Sequence, residues 1–117
     1  VSIEKRQHRR FPLRVPLFIL VNGEVYRKNV VLESRDVSAG GLSFETGREI
    51  PPAAESRVIV ARLGDIEEPA LIEGRVARVT HDEARGRYVV GIEFTRFVNV
   101  TREELVKRLE HAWQERG

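Results

Sequence analysis

Asp36-Val37-Ser38-Ala39-Gly40-Gly41-Leu42-Ser43-Phe44-Glu45-Thr46 is the stretch from which the rest of this chain is read. Its first half is turn chemistry: a short carboxylate, a hydroxyl and two glycines, residues that bond to their own backbone or free it to bend. In its second half Leu42, Phe44 and Thr46 alternate with Ser43 and Glu45, the period of a half-buried strand. A turn feeding an alternating strand is the unit of an antiparallel β protein.

The same grammar extends in both directions. Leu17 to Val21 is apolar and follows Pro16, which is tolerated at the start of a strand. Asn22-Gly23 then marks a tight hairpin, with Val25 to Leu32 expected as the returning strand. Pro51-Pro52 breaks the chain, and Arg57 to Leu63 reads as a strand buried on both faces. After a turn at Gly64-Asp65, Ala70 to Thr80 is a long strand. Its mixed faces, Leu71, Glu73, Arg75 and Ala77 against Ile72, Gly74, Val76 and Arg78, predict a bulge near Gly74. Arg85-Gly86 turns the chain into a last strand, Tyr88 to Phe94. The end of the chain changes period: Thr101 and Glu104 form a capping box, and Leu105, Leu109, Ala112 and Trp113 recur at helical spacing. Trp113 is read as the anchor of this helix on the β body. Six short strands and one terminal helix define a mainly β domain, a small antiparallel barrel or sandwich; crossover helices for a parallel sheet are missing.

Composition narrows the function. A chain of 117 residues reads as one domain able to bury roughly two thirds of its unfolded surface. It has no cysteine, which excludes disulfides and thiolate metal sites and fits a reducing, cytoplasmic location. It has no methionine, so a longer parent protein is left open. The longest apolar run, Leu17 to Val21, is far short of the ~20 residues of a membrane helix, and no signal peptide is visible. Net charge is only +2, yet residues 1–14 carry Lys5, Arg6, Arg9, Arg10 and Arg14 against Glu4 alone. A basic arm on a nearly neutral body fits a localised anionic ligand better than a broad nucleic-acid face; a solvated tail is the plainer alternative.

Catalytic signatures are missing. His8, His81 and His111 lie in unrelated elements, so no three-histidine metal site is expected. There is no phosphate-binding Gly-Lys-Ser/Thr loop and no Gly-x-Ser-x-Gly elbow around Ser38. Glu67-Glu68 and Glu103-Glu104 read as loop and helix-start residues. No enzyme, cofactor or metal is expected.

Two segments carry binding chemistry. In Arg9-Arg10-Phe11-Pro12-Leu13-Arg14, the fixed forks of Arg10 and Arg14 match phosphate oxygens or the O6/N7 edge of guanine. An extended chain stiffened by Pro12 projects residues four apart to one side. In Asp36-x-Ser38-x-x-Gly41, the carboxylate can accept from guanine N1 and N2, and the hydroxyl can donate to a phosphate. Gly40 and Gly41 permit positive φ and close ligand approach. Ordinary turn chemistry is the better account of this second segment taken alone.

Together, Arg-x-x-x-Arg and, about twenty residues on, Asp-x-Ser-x-x-Gly leading into a strand resemble the PilZ domain family. Gly74-Arg75-Val76-Ala77-Arg78-Val79 and Gly91-Ile92-Glu93-Phe94 resemble its later strands, so the resemblance covers roughly residues 9 to 95. It implies a six-stranded antiparallel β-barrel of split-barrel type: a basic arm over 1–14, a barrel over 15–100 and a packed helix over 101–116. It also implies a receptor for the bacterial second messenger cyclic di-GMP, of the kind that serves motility or biofilm regulation. Arg10 and Arg14 would engage phosphates and guanine edges, Asp36 and Ser38 a base and the ligand backbone, and Gly40 and Gly41 the approach. Gly91 and Phe94 would hold the barrel. An arginine at the position of Arg9 goes, in that family, with two intercalated ligand molecules. Ligand would fold a mobile arm, Val1 to Pro12, across the barrel and present a surface to a partner protein or domain. The alternatives are a small barrel that binds RNA or single-stranded DNA through Arg57, Arg62, Arg75, Arg78, Arg85 and Arg87, and a ligand-free PilZ-like interaction module.

Overall fold

The computed structural model describes residues 9–21, 24–25, 32–47, 55–60 and 69–116. The basic residues before Arg9, the Asn22-Gly23 turn, the Pro51-Pro52 loop and the Gly64-Asp65 turn lie outside the described residues.

Seven strands and one helix form the body: β1 (Pro16–Val21), β2 (Glu24–Val25), β3 (Leu32–Val37), β4 (Gly41–Thr46), β5 (Glu55–Val60), β6 (Ala70–Asp82), β7 (Arg87–Phe97) and α1 (Arg102–Arg116). The sheet order is β2-β1-β3-β4-β7-β6-β5, and β1 pairs again with β5, Leu17 opposite Val60 and Val21 opposite Ser56. That second pairing closes β1, β3, β4, β7, β6 and β5 into a ring of six antiparallel strands, the barrel expected. Closure removes the free edges that an open sheet leaves for aggregation. The two-residue β2 is an appendage on β1, pairing Leu20 with Val25.

Strand two of the barrel is the main departure from expectation. The return strand expected over Val25 to Leu32 is described only at Glu24–Val25, and residues 26–31 lie outside the described set. The barrel strand is β3, Leu32–Val37, which shares only Leu32 with the expected return strand and runs into Asp36, expected in a turn. Its Ser34 faces the core at 1% exposure. It is tolerated there because its hydroxyl accepts the Val15 N–H at 3.0 Å and donates to the Leu13 carbonyl. Alternation then shifts. A register shift between Ser34 and Asp36 makes Arg35 the extra residue of a bulge, so Val37 turns into the core and Asp36 turns out.

β6 repeats the device. Its register against β7 shifts between Glu73 and Gly74, as the mixed faces predict, and again between Val76 and Arg78. Strict alternation would carry Arg78 inward after Val76; the second bulge leaves it exposed. β4 also differs from a half-buried strand. Ser43 on its outer face is buried as well as Leu42 and Phe44, and the outer Glu45 lies under Arg35, Arg85 and Arg87 at 3.0–3.5 Å.

The core gathers Leu17 and Ile19 of β1, Val37, Leu42, Phe44, Ile72 and, from α1, Leu105 and Leu109. Burying each of those two helix leucines fully contributes about 1.5–3 kcal/mol. The helix starts where its capping box requires: Thr101 Oγ1 accepts the Glu104 N–H at 3.0 Å, and the Glu104 carboxylate accepts the Thr101 N–H at 2.9 Å. The Thr101 N–H, and after it the Thr101 side chain, hold the Glu104 carboxyl below the usual glutamate range. Trp113 packs on the core and meets Phe11 edge-on at 6.3 Å between ring centroids.

Candidate functional site

Phe11 fixes where the arginine segment joins the barrel. Its side chain is 2% exposed, and its backbone exchanges two hydrogen bonds with Val37, at 2.8 and 2.9 Å. The arm was expected to be mobile as far as Pro12; Phe11, one residue before it, is buried in the core. Pro12 then sits at the centre of a three-residue turn, with the Leu13 N–H on the Phe11 carbonyl at 2.7 Å. Leu13 and Val15 are buried, held by Ser34, so Arg14 between them points to solvent.

The turn at Pro12 separates the two motif arginines. Arg10 reaches β3, where its Nη1 donates to Asp36 Oδ1 at 2.5 Å. Both side chains keep about a third of their surface, 31% and 29%. Arg14 is exposed and does not line the cleft described next. Arg9 is also exposed; its guanidinium lies 4.7 Å from the Phe11 ring centroid.

Arg10 and Asp36 stand at one side of an open cleft of about 770 Å³. Its other walls are the β3–β4 loop with Ser38, Gly40 and Gly41, the bulged part of β6 with Ala77 and Arg78, strand β7 and the start of α1. The volume lies within the range of small-molecule sites. Arg10, Arg35, Arg78 and Arg102 line it against two carboxylates, Asp36 and Glu93. Both carboxylates are already engaged, Asp36 by Arg10 and Glu93 by Arg75 at 2.9 Å. The remaining charge is positive, in a concavity that offers planar donor forks. That suits a phosphate-bearing ligand.

The loop residues that line the cleft also have partners within the protein. Ser38 is buried, and its hydroxyl accepts the Gly40 N–H at 3.1 Å and donates to the Gly41 carbonyl at 3.4 Å. It therefore shapes the loop from within. Gly41 is needed by the barrel: a Cβ there would lie 2.2 Å from the Ile92 carbonyl oxygen. Neither Gly40 nor Gly41 adopts positive φ; among the described residues that glycine is Gly86, φ 66°, in the β6–β7 turn. Gly40 lines the cleft, and its carbonyl accepts the Phe94 N–H at 2.9 Å.

Sequence reading missed Arg35 and Arg102 as cleft residues and placed Arg78 only on a rival nucleic-acid face. Among the described residues of that face, three of its arginines are paired with carboxylates. Arg75 pairs with Glu93, Arg85 and Arg87 pair with Glu45, and nothing is described for the side chains of Arg57 and Arg62. Among the described residues no three His, Cys, Asp or Glu side chains converge as a metal site. His81 stacks on Tyr88 at 4.6 Å. No described helix is long and apolar enough to cross a membrane.

A closed antiparallel barrel with an arginine-rich cleft beside its N-terminal segment has the chemistry to hold an anionic ligand. The chain belongs to the PilZ domain family, whose model matches residues 4–111. PilZ domains bind cyclic di-GMP and act on partner proteins or domains; they are regulatory modules, and this one is not an enzyme. Three solved structures share the fold. One is the Bacillus subtilis inhibitor of motility, MotI/DgrA, with TM-score 0.77 and 17% identity, over 97% of this chain and 53% of that one. Another is the PilZ domain of CeSA from a cellulose-synthesizing bacterium, with TM-score 0.56 and 18% identity, over 88% and 99%. The third is MrkH, a c-di-GMP-dependent transcription regulatory factor, with TM-score 0.56 and 17% identity, over 97% and 51%. This chain thus spans about half the length of MotI/DgrA and of MrkH. No curated protein matches it by sequence.

Proposed function

We propose that this domain is a cyclic di-GMP receptor that binds its ligand in the arginine-lined cleft and passes occupancy to a partner protein or domain in the cytoplasm. The observation that carries this reading is the meeting of Arg10 and Asp36, one from each motif, at the edge of a cleft whose other carboxylate is already paired.

Ligand entry exchanges one set of charge-assisted bonds for another. Asp36 releases Arg10 and accepts from guanine N1 and N2, while Arg10 turns its fork to a phosphate. Arg14, exposed and without a described partner, closes on the ligand from outside. Ser38 keeps the loop in shape, so that Gly40 is presented to the ligand. The hinge of this rearrangement falls between Arg10 and Phe11, because Phe11 is held by Val37 and Trp113. Residues up to Arg10 then order over the ligand, and that ordering has an entropic cost which the new bonds must exceed. Arg9 supplies an exposed planar cation for a second, stacked ligand, giving two per chain. A motility inhibitor and a transcription regulator share this fold, so the output belongs to the partner and not to the barrel.

Calorimetric titration of Arg10→Ala and Arg14→Ala tests the reading. Each is expected to weaken cyclic di-GMP binding about tenfold or more, the worth of a charge-assisted hydrogen bond. Unchanged affinity in both variants would overturn it.

A further inference from the structure

Arg102 lies outside both sequence motifs, yet it enters the same cleft. It is the first residue of α1, where the helix dipole favours anions and disfavours a cation. Its two successors, Glu103 and Glu104, are acidic, as the dipole prefers. The helix does not use Arg102 for its own closure, because Thr101 and Glu104 supply the capping box.

The side chain instead leaves the helix. Its guanidinium lies 5.1 Å from the Phe97 ring centroid, and its Nε donates to the Ala39 carbonyl at 3.4 Å. That is a long bond to a neutral acceptor, and it uses one of the five guanidinium donors. No described carboxylate pairs with Arg102, since Asp36 and Glu93 are taken by Arg10 and Arg75. A cation against the helix dipole, oriented by an aromatic face and weakly held on a loop carbonyl, gains from an anion more than from its present partner.

We propose that Arg102 is a further ligand-binding residue of the cleft, exchanging the Ala39 carbonyl for a phosphate of the bound cyclic dinucleotide. The inference rests on the receptor reading above and adds a contact from the start of α1 to the Arg10 contact.

The test is calorimetric titration of the unsubstituted chain, Arg102→Ala and Arg102→Lys with cyclic di-GMP at low and high salt. Arg102→Ala is expected to weaken binding about tenfold or more, with a shallower salt dependence because one phosphate contact is gone. Arg102→Lys should fall between, keeping the charge without the fork. Arg102 is exposed, so both variants should melt close to the unsubstituted chain. Affinity of Arg102→Ala within about twofold of the unsubstituted chain would overturn the inference. So would a loss shared equally by Lys and Ala with an unchanged salt slope, which is the mark of loop positioning through Ala39. An unsubstituted chain that does not bind would overturn the receptor reading itself, a result separable from the other two.

Discussion

Arg10 and Asp36, one from each half of a divided motif, form an ion pair across the join between the N-terminal segment and β3, Nη1 to Oδ1 at 2.5 Å. The pair is about one third exposed, so it contributes no more than about 1 kcal/mol to the fold. Asp36→Ala is therefore expected to leave the melting temperature nearly unchanged while weakening cyclic di-GMP binding about tenfold or more. Thermal melting and calorimetry on one preparation check both halves. A large loss of stability with intact affinity would make the pair a structural clamp.

Gly41 makes the opposite prediction. A methyl group there meets the Ile92 carbonyl oxygen, and backbone of a central strand pair cannot yield cheaply. Gly41→Ala should cost about 1–3 kcal/mol or more. The measurement is the melting temperature without ligand, expected to fall by about 4 °C or more per kcal/mol in a domain near this size. A melt like that of the unsubstituted chain would return Gly41 to a ligand-approach role.

Ser34 joins the arginine segment to the barrel through its one hydroxyl. Ser34→Ala leaves the Val15 N–H and the Leu13 carbonyl short of a partner in a buried site. The expected loss is about 1–3 kcal/mol, read by denaturant unfolding. Ligand affinity should fall with it, because Arg14 sits between those two backbone groups.

The helix start is sensitive to acid. Bonds from Thr101 hold the folded Glu104 carboxyl below its ordinary pKa, with Arg108 and Lys107 acting the same way. A lowered folded pKa stabilises the fold above the unfolded value, and the gain is lost as pH falls through the folded value. Melting temperatures of the unsubstituted chain and Glu104→Gln should therefore differ most at neutral pH and converge in acid. Thr101→Ala, which removes the cap, should cost about 1 kcal/mol.

The elements that announced themselves did so by period or by apolar stretches. The helix from Thr101 onward buries Leu105, Leu109 and Ala112 at the spacing read for it, while β1, β6 and β7 stood out as apolar stretches between turn residues, with two register shifts between β6 and β7. β3 did not, because its inward Ser34 is polar and is satisfied only by Leu13 and Val15, nineteen or more positions away in the chain. The site was legible to the same degree. Arg10, Asp36 and Gly40 were named and meet at the cleft, while Arg9 and Arg14 stand outside it. Ser38 and Gly41 were named for contacts with ligand, and their described partners are within the protein. Arg78 was misplaced because a bulge reverses its face, and a bulge of one residue leaves little mark in composition. Arg102 was hidden because a cation in the first turn of a helix reads as a solvated side chain, and only the fold brings it over Phe97 and Ala39.

Titration of the unsubstituted chain with cyclic di-GMP, followed by calorimetry with GTP as the control ligand, tests the central claim most directly. The account predicts saturable binding of the cyclic dinucleotide, two molecules per chain, with a rise in melting temperature because the ligand binds the folded state. No heat of binding and a flat melting temperature at saturating cyclic di-GMP would contradict it.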